Sequence, residues 1–310
     1  MRVLPLCVMF GGWLSMPAFA VDAGTWMSKL AQAERTQNYA GTFVYERNGS
    51  FSSHAIWRRV EEGHLQERML QLDGPAIEVV RRDGQVQCAT DGLTTQVDRQ
   101  GTWDERYLDV KALSEWYEFR LMGESRVAGR PAVALGVLAK DQHRYSFELH
   151  LDRETALPLK SLMLSDKGQL LERFQFTRFE PDAADAQSVR QGPACESVSL
   201  KDAPRKVDTA WRSDWLPPGF VLQGADVRPS PVSSESVSWL SYGDGLTSFS
   251  VFLEPLGDAT VSDARSQMGP TASVAKRIST PEGDVMVTVV GEIPLGTAER
   301  VALSMRAASQ

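Results

Sequence analysis

Four histidines and three cysteines are the scarcest chemistry-bearing side chains of this 310-residue chain. His54, His64, His143 and His150 are not paired at the spacing by which a helix presents zinc ligands. Cys88 and Cys195 have no Cys or His neighbour at ligand spacing either, so neither a metal nor a cofactor is expected. A thiol pair in an exported chain reads instead as one disulfide. It would close a loop of roughly a hundred residues; two free thiols are the competing reading. The chain has no Gly-x-Ser-x-Gly elbow, phosphate loop or dinucleotide fingerprint. Gly243-Asp244-Gly245 lacks the third glycine and the strand-then-helix context, and reads as a hairpin turn. Carboxylate pairs such as Glu46 with Glu67 arise by chance among 40 acidic residues. A hydrolase would need a nucleophile or metal that the sequence does not offer, so the expected function is binding, not catalysis.

The N-terminus is a targeting device. Met1-Arg2 is followed by an apolar run from Val3 to Trp13 and by Ala18-Phe19-Ala20, a small-residue cleavage site. Residues 1–20 are therefore expected to be removed after Ala20, taking Cys7 with them. Pro17 and the small residues interrupt the run too early for a membrane anchor. The full chain carries a net charge of −7, and loss of Arg2 makes the remainder one unit more negative. That balance excludes general nucleic-acid binding.

The elements that must position any site are mostly strands. Thr25–Glu34 places Trp26, Leu30 and Ala33 on one helical stripe. Short β-prone runs follow at 41–47, 51–60, 65–72 and 76–82, separated by Asn48-Gly49, Glu62-Gly63 and Asp73-Gly74, the signature of an antiparallel meander. Tyr145, Phe147, Leu149 and Leu151 alternate with polar residues. Leu159–Leu164 and Gln169–Thr177 flank the turn Asp166-Lys167-Gly168. Val110–Met122 carries Leu113, Trp116, Tyr117 and Leu121 at helical spacing, and is expected to form a helix that covers a curved sheet. Apolar periodicity stops near Phe179, so 21–178 is expected to be one domain, 179–208 a linker and 209–310 a second domain. The second is expected to hold strands at 237–242, 246–253 and 284–290 and a helix capped by Thr297.

Binding surfaces are legible only by residue type. Phe43, Tyr45, Trp57, Met69, Leu72, Ile77, Val79, Trp116 and Tyr117 are candidates to line an apolar cavity suited to acyl chains, with core packing as the alternative for each. Arg58, Arg59, Arg68, Arg81 and Arg82 would suit lipid phosphates at its rim or solvate the outer face. In the second domain Trp211, Trp215, Phe220, Trp239, Tyr242, Phe249 and Phe252 supply much aromatic surface, part of it a candidate protein interface.

Tyr39-Ala40-Gly41-Thr42-Phe43-Val44-Tyr45-Glu46-Arg47, Leu70-Gln71-Leu72-Asp73-Gly74-Pro75 and Leu149-His150-Leu151-Asp152-Arg153-Glu154-Thr155-Ala156-Leu157-Pro158 resemble the MucB/RseB family. So do Trp211-Arg212-Ser213-Asp214-Trp215-Leu216-Pro217-Pro218-Gly219-Phe220 and Gly291-Glu292-Ile293-Pro294-Leu295-Gly296-Thr297 further along. The resemblance implies an α+β fold: an N-terminal LolA/LolB-like unclosed antiparallel β-barrel with covering helices, then a smaller antiparallel sheet with a helix. It also implies a periplasmic negative regulator of an AlgU- or sigma-E-like sigma factor. Such a protein binds the periplasmic region of a MucA/RseA-type anti-sigma factor, protects it from proteolysis and is loosened by lipid or lipopolysaccharide. Trp211, Trp215, Trp239, Tyr242 and Phe249 then become the expected anti-sigma contacts, and the first-domain apolar set the expected lipid contacts. Homo-oligomerisation stays open, and a lipid or lipoprotein carrier without a regulatory partner is the alternative.

Overall fold

The computed structural model describes residues 22–90, 108–198, 210–229, 236–257 and 261–307. The leader with its cleavage site, Cys7, and residues 199–208 of the expected linker lie outside the described residues. The first helix, α1 (Ala23–Thr36), starts where the Asp22 carboxylate accepts the Thr25 N–H at 2.7 Å. It buries Trp26, Met27, Leu30 and Ala33 on one stripe.

An antiparallel meander follows: β1 (Tyr39–Arg47), β2 (Ser50–Glu61), β3 (His64–Gln71), β4 (Glu78–Arg82) and β5 (Gln85–Thr90). Asn48-Gly49 and Glu62-Gly63 adopt positive φ at both positions, the two-residue turn whose twist matches the flanking strands. Asp83-Gly84 and Ala128-Gly129 do the same and make two hairpins that residue pattern had not marked. After a short helix, α2 (Val110–Trp116), come β6 (Tyr117–Val127), β7 (Arg130–Ala139), β8 (Ser146–Asp152), β9 (Pro158–Leu164), β10 (Leu170–Pro181) and β11 (Cys195–Ser197).

These strands form one eleven-stranded sheet in the order β11-β5-β4-β3-β2-β1-β10-β9-β8-β7-β6, antiparallel throughout, with β11 and β6 as open edges. Ile56 on β2 and Tyr117 on β6 nevertheless belong to the same core as α1 and α2. Six strand steps of a flat sheet would hold them roughly 29 Å apart, so the sheet must curl around the two helices. The result is an unclosed barrel, the expected fold class. The free edge β6 carries Glu118, Arg120, Glu124 and Arg126, charges that oppose edge-to-edge pairing.

Two expectations are corrected. The helix foreseen over 110–122 ends at Trp116, because Tyr117–Val127 finds a ladder of partners along β7 interrupted only at Met122; Tyr117 and Phe119 then meet the core at strand spacing. The stretch 179–198, read as linker, belongs to the body of the first sheet. Phe179 is a core residue of β10. Beyond it, Arg59 donates to the Ala184 carbonyl, Arg68 to the Ser188 carbonyl, and the Gly192 N–H to Glu78 at 2.7 Å. Polar composition hid a strap whose backbone groups are satisfied by side chains from strands far away in sequence.

The strap ends in the Cys88–Cys195 disulfide, as expected, packed against Val80. Four of the five arginines that were candidates for a lipid rim make protein contacts: Arg58 and Arg81 both reach Glu67, Arg68 reaches Glu78, and Arg59 reaches Glu61.

The second sheet contains β13 (Val221–Pro229), β14 (Ser236–Gly243), β15 (Ser248–Pro255), β16 (Ala264–Met268), β17 (Thr271–Thr280) and β18 (Gly283–Gly291), in the order β13-β14-β15-β18-β17-β16. One helix, α3 (Leu295–Ser304), lays Ala298, Val301 and Ala302 on Val251, Val274, Val287 and Val289. A ribbon of β12 (Trp211–Ser213) and β19 (Met305–Ala307) brings Trp211 and Met305 to the same core. Pro294, not Thr297, occupies the N-cap position; the Thr297 hydroxyl instead lies 3.2 Å from His143 Nδ1 of the first unit.

Replacing both Cys88 and Cys195 by alanine opens a loop of 107 residues and is expected to cost the first unit about 3–5 kcal/mol. Urea unfolding checks this by a lowered midpoint; an unchanged midpoint would mean that the strap is held by Arg59, Arg68 and Glu78 alone.

Candidate functional site

Two features stand out: a cleft inside the curled sheet, and the joint between the sheets. The cleft, about 530 Å³, opens beside α1. Leu30 and Ala31 of α1, Val60 of β2, Leu65 of β3, Val137 of β7 and Phe147 and Leu149 of β8 supply apolar walls. Leu246, from the turn between β14 and β15, supplies another. Arg58 borders the cleft with its side chain 10 % exposed, paired with Glu34 at 3.3 Å and with Glu67 at 3.4 Å. Burial pushes the neighbouring Tyr39 hydroxyl well above the usual phenol range, with Glu34 adding to the effect.

None of the nine apolar residues named as candidate lipid contacts lines this cleft. Phe43 is buried in the core, stacked on the His54 ring at 5.0 Å; burial holds His54 below its ordinary value. Met69 packs against the same core. Tyr45 donates to Glu172 at 2.5 Å, and burial pushes its hydroxyl up. Trp57 lies on the opposite face, with the Arg68 guanidinium 4.9 Å from its ring. Ile77 sits in the β3–β4 connection, where its carbonyl accepts the Gln71 N–H. Val79 packs with Val86 and Ala89 in a satellite cluster. Trp116 and Tyr117 belong to the joint. Alternation had marked Phe147 and Leu149 as inward-facing, and helical spacing had marked Leu30. Leu246 was expected only as the start of a second-domain strand over 246–253, not at this cleft.

The joint is built on Asp244, in the turn read as a hairpin connection. Its Oδ2 accepts Arg144 Nη1 at 2.8 Å and the Tyr117 hydroxyl at 2.9 Å. Its Oδ1 accepts the backbone N–H groups of Leu246 and Thr247, each at 2.9 Å. Both charged side chains have 0 % exposure. Arg144 also binds Asp141 and the Pro218 carbonyl. The rings of Trp116, Tyr117 and Phe220 surround its guanidinium at 5.3 to 5.6 Å. Desolvation, then the Asp244 charge, pushes the Tyr117 hydroxyl far up, so it stays a donor. Gly219 adopts φ +83° directly against the Trp116 indole, where a Cβ would fall 2.3 Å from Nε1.

Two further contacts bind the units. The Tyr145 hydroxyl donates to the Ile293 carbonyl at 3.1 Å and accepts from Gln267, and burial pushes its pKa up to about 12. Arg47 reaches Glu172 and, across the joint, Glu292 at 3.3 Å and the Thr271 hydroxyl.

The five aromatics expected to bind a partner divide. Tyr242 and Phe249 are buried and stacked at 5.2 Å. Trp239 is half-buried and donates to Ser250 Oγ. Trp211 packs at the rim of the second core. Trp215 lies between Arg300, 3.9 Å from its ring, and His143 of the first unit.

Among the described residues, no group of three His, Cys, Asp or Glu side chains is placed to hold a metal ion, and no helix is long and apolar enough to cross a membrane. The arrangement can enclose an apolar chain and hold two sheets in one orientation.

Comparison with known proteins bears on both features. Residues 22–198 match the model of the MucB/RseB N-terminal domain, and residues 205–306 that of the MucB/RseB C-terminal domain. The chain is 56% identical over 309 residues to the sigma factor AlgU regulatory protein MucB of Pseudomonas aeruginosa, covering 99% of this chain and 98% of that protein. It is 30% identical over 293 residues to the sigma-E factor regulatory protein RseB of Escherichia coli K12, covering 92% and 90%. The structure of the Pseudomonas aeruginosa MucA/MucB complex superposes with TM-score 0.85 at 57% identity, covering 93% of this chain and 99% of that one. A crystal structure of MucB alone superposes with TM-score 0.69 at 55% identity, covering 92% and 98%.

Arg144→Met leaves Asp244 buried without its cation and is expected to lower stability by about 3–5 kcal/mol, checked by calorimetric melting. A loss under 1 kcal/mol would mean that water enters the joint. Glu292 yields a pH prediction. Burial, then the nearby Glu172 charge, holds its carboxyl above the ordinary 4.5, against the pull of Arg47. A raised folded value means that Glu292 contributes stability below the ordinary value and loses it as pH rises through the folded one. The side chain is 34 % exposed, so water screens part of the effect. Glu292→Gln, which mimics the protonated form, is expected to melt higher than wild type at neutral pH and equally below about pH 4. Melting curves of the two proteins across that range check the sign.

Proposed function

Since the chain belongs to the MucB/RseB family, we propose that it is a periplasmic negative regulator of an AlgU- or sigma-E-like sigma factor, exported by its leader and acting by binding alone. Its partner is the periplasmic region of a MucA/RseA-type anti-sigma factor, which it shields from regulated proteolysis. The observation that carries this reading is a match to the Pseudomonas aeruginosa regulator along almost the whole of both chains.

The two units have separate tasks. The second presents Trp211 and Trp239, which keep part of their surface, toward the partner, while Tyr242 and Phe249 support them from the core. Trp215 ties that surface to the joint through His143. The first unit takes lipid in the cleft beside α1, whose apolar walls and 530 Å³ fall within the range of small-molecule sites, about 300–1,000 Å³. The chain superposes more closely on MucA-containing structures (TM-scores 0.85 and 0.83) than on MucB alone (0.69), at similar identity. That difference supports reading the docked arrangement as the one that holds the anti-sigma segment. Lipid then releases the segment by favouring another arrangement, and linkage makes the antagonism reciprocal.

Titration calorimetry of the leaderless chain with the periplasmic fragment of a MucA-type anti-sigma factor is expected to give a stoichiometric complex that lipopolysaccharide weakens. Lipopolysaccharide binding without any binding of the fragment would replace this function by that of a lipid carrier.

A further inference from the structure

The chain contains two asparagines, Asn38 and Asn48. Asn38 is fixed in the first unit: its side-chain oxygen accepts the Val60 N–H at 2.6 Å, and its carbonyl accepts the Asp182 N–H. Asn48 stands exposed at the tip of the β1–β2 hairpin, and its side-chain amide has no hydrogen-bond partner among the described residues. The turn does not require an asparagine. Glu62-Gly63, Asp83-Gly84 and Ala128-Gly129 make the same two-residue turn, with positive φ at both positions, from other residues. What Asn48 adds is a side-chain carbonyl directly before Gly49, where a Cβ would meet nothing within 4 Å. The strand ladder pairs Arg47 with Ser50, the residues that flank the turn, and leaves the Gly49 N–H outside it.

This tip lies against the second unit. Asn48 and Gly49 line a crevice of about 560 Å³ between the units, with Gln267 and Gly269 on its far side. Gly269 packs so closely that a Cβ on it would fall 3.4 Å from the Asn48 backbone nitrogen. The preceding residue, Arg47, carries the ion pair to Glu292 and the bond to Thr271 across the joint. Glu46, Asp166 and Glu172 line the same crevice, with Lys167 as the cation among its described lining residues.

We infer that Asn48 is a site of spontaneous deamidation and that its conversion loosens the joint. The Gly49 amide nitrogen attacks the Asn48 side-chain carbonyl carbon. The bond from that carbon to the side-chain nitrogen breaks, and the nitrogen leaves as ammonia with the proton given up by Gly49. Water then opens the cyclic imide at either carbonyl, leaving aspartate or isoaspartate at position 48. Each conversion consumes a water molecule and releases ammonia, with no change of oxidation state. Aspartate fits the turn, as Asp83-Gly84 does elsewhere in the sheet, but it adds a charge to an acidic crevice and competes with Glu292 for Arg47. Isoaspartate inserts a methylene into the backbone of a two-residue turn and shifts Arg47 and Ser50 out of register. Either product weakens the contact through Arg47. Any consequence for the anti-sigma segment rests on the reading that the docked arrangement holds it; the modification itself does not.

The test holds the leaderless chain in mildly alkaline buffer and follows both asparagines by digestion and peptide mass spectrometry. Asn48 is expected to convert about tenfold faster than Asn38, which must first give up its bond to Val60. Conversion of Asn48 no faster than that of Asn38 overturns the site. Aged wild type and fresh Asn48→Asp are expected to melt below fresh wild type at low salt, and the gap for Asn48→Asp to close at high salt. Asn48→Gln, whose longer side chain closes the ring far more slowly, is expected to keep its melting point through the same incubation. The anti-sigma fragment is expected to bind Asn48→Asp about threefold more weakly than wild type. If Asn48 converts but neither the aged protein nor Asn48→Asp melts lower, the effect on the joint is overturned. If fresh wild type does not bind the fragment, the regulatory reading fails, while mass and melting still decide the site.

Discussion

The carboxylate of Asp244 sits with no exposed surface at the boundary between two sheets, and the relation between those sheets depends on how its charge is compensated. A buried carboxylate is tolerable only when its oxygens are fully engaged. Here one guanidinium, one phenol and two backbone N–H groups engage them. Arg144 and Tyr117 come from the first unit, the backbone donors from the second. The geometry that satisfies the charge is therefore also the geometry that orients the units, and such a joint has few intermediate positions: seated, all partners are satisfied, and displaced, several buried groups lose theirs together.

The curled sheet supplies the other half of the mechanism. An eleven-stranded sheet that wraps α1 and α2 without joining its edges leaves an interior which the two helices do not fill. Because β11 and β6 do not pair with each other among the described residues, the barrel stays open along one side. The strap over 182–195 holds the β5 edge from outside, through Arg59, Arg68, Glu78 and the disulfide. The cleft and the joint share Leu246, so one wall of the cleft comes from the other unit.

Much of this was legible in the residues. Alternation over 145–151, the Asn48-Gly49 and Glu62-Gly63 turns, the stripe of α1 and the Cys88–Cys195 pair each follow from local rules: period-two burial, a turn that needs positive φ, period-3.6 burial, and the oxidation of an exported thiol pair. The helix over 110–122 failed from Tyr117 onward because its apolar spacing fits a helix or a strand equally well, and β7 offered a ladder interrupted only at Met122. The strap over 182–195 was read as linker because polar residues look alike whether water or a distant arginine satisfies them. Phe43, Tyr45, Trp57, Met69 and Val79 lie on strands where strands were expected, whereas Ile77 lies in a connection and Trp116 on α2; which apolar residues face a void and which fill the core is set by the curvature of the sheet.

The sequence by itself determined most classes of element, the expectation of a disulfide, the resemblance to MucB/RseB proteins and the expectation of a binding function without a catalytic cluster. All of these rest on residue type and short-range spacing. The tertiary structure alone decided that Asp244 of a hairpin turn is a buried anchor, that Arg144 is its partner a hundred positions away in sequence, and that Leu246 closes a cleft in the other unit. A charge becomes costly, and a leucine becomes a wall, only once distant strands have excluded water from around them, and no local pattern records which strands those will be.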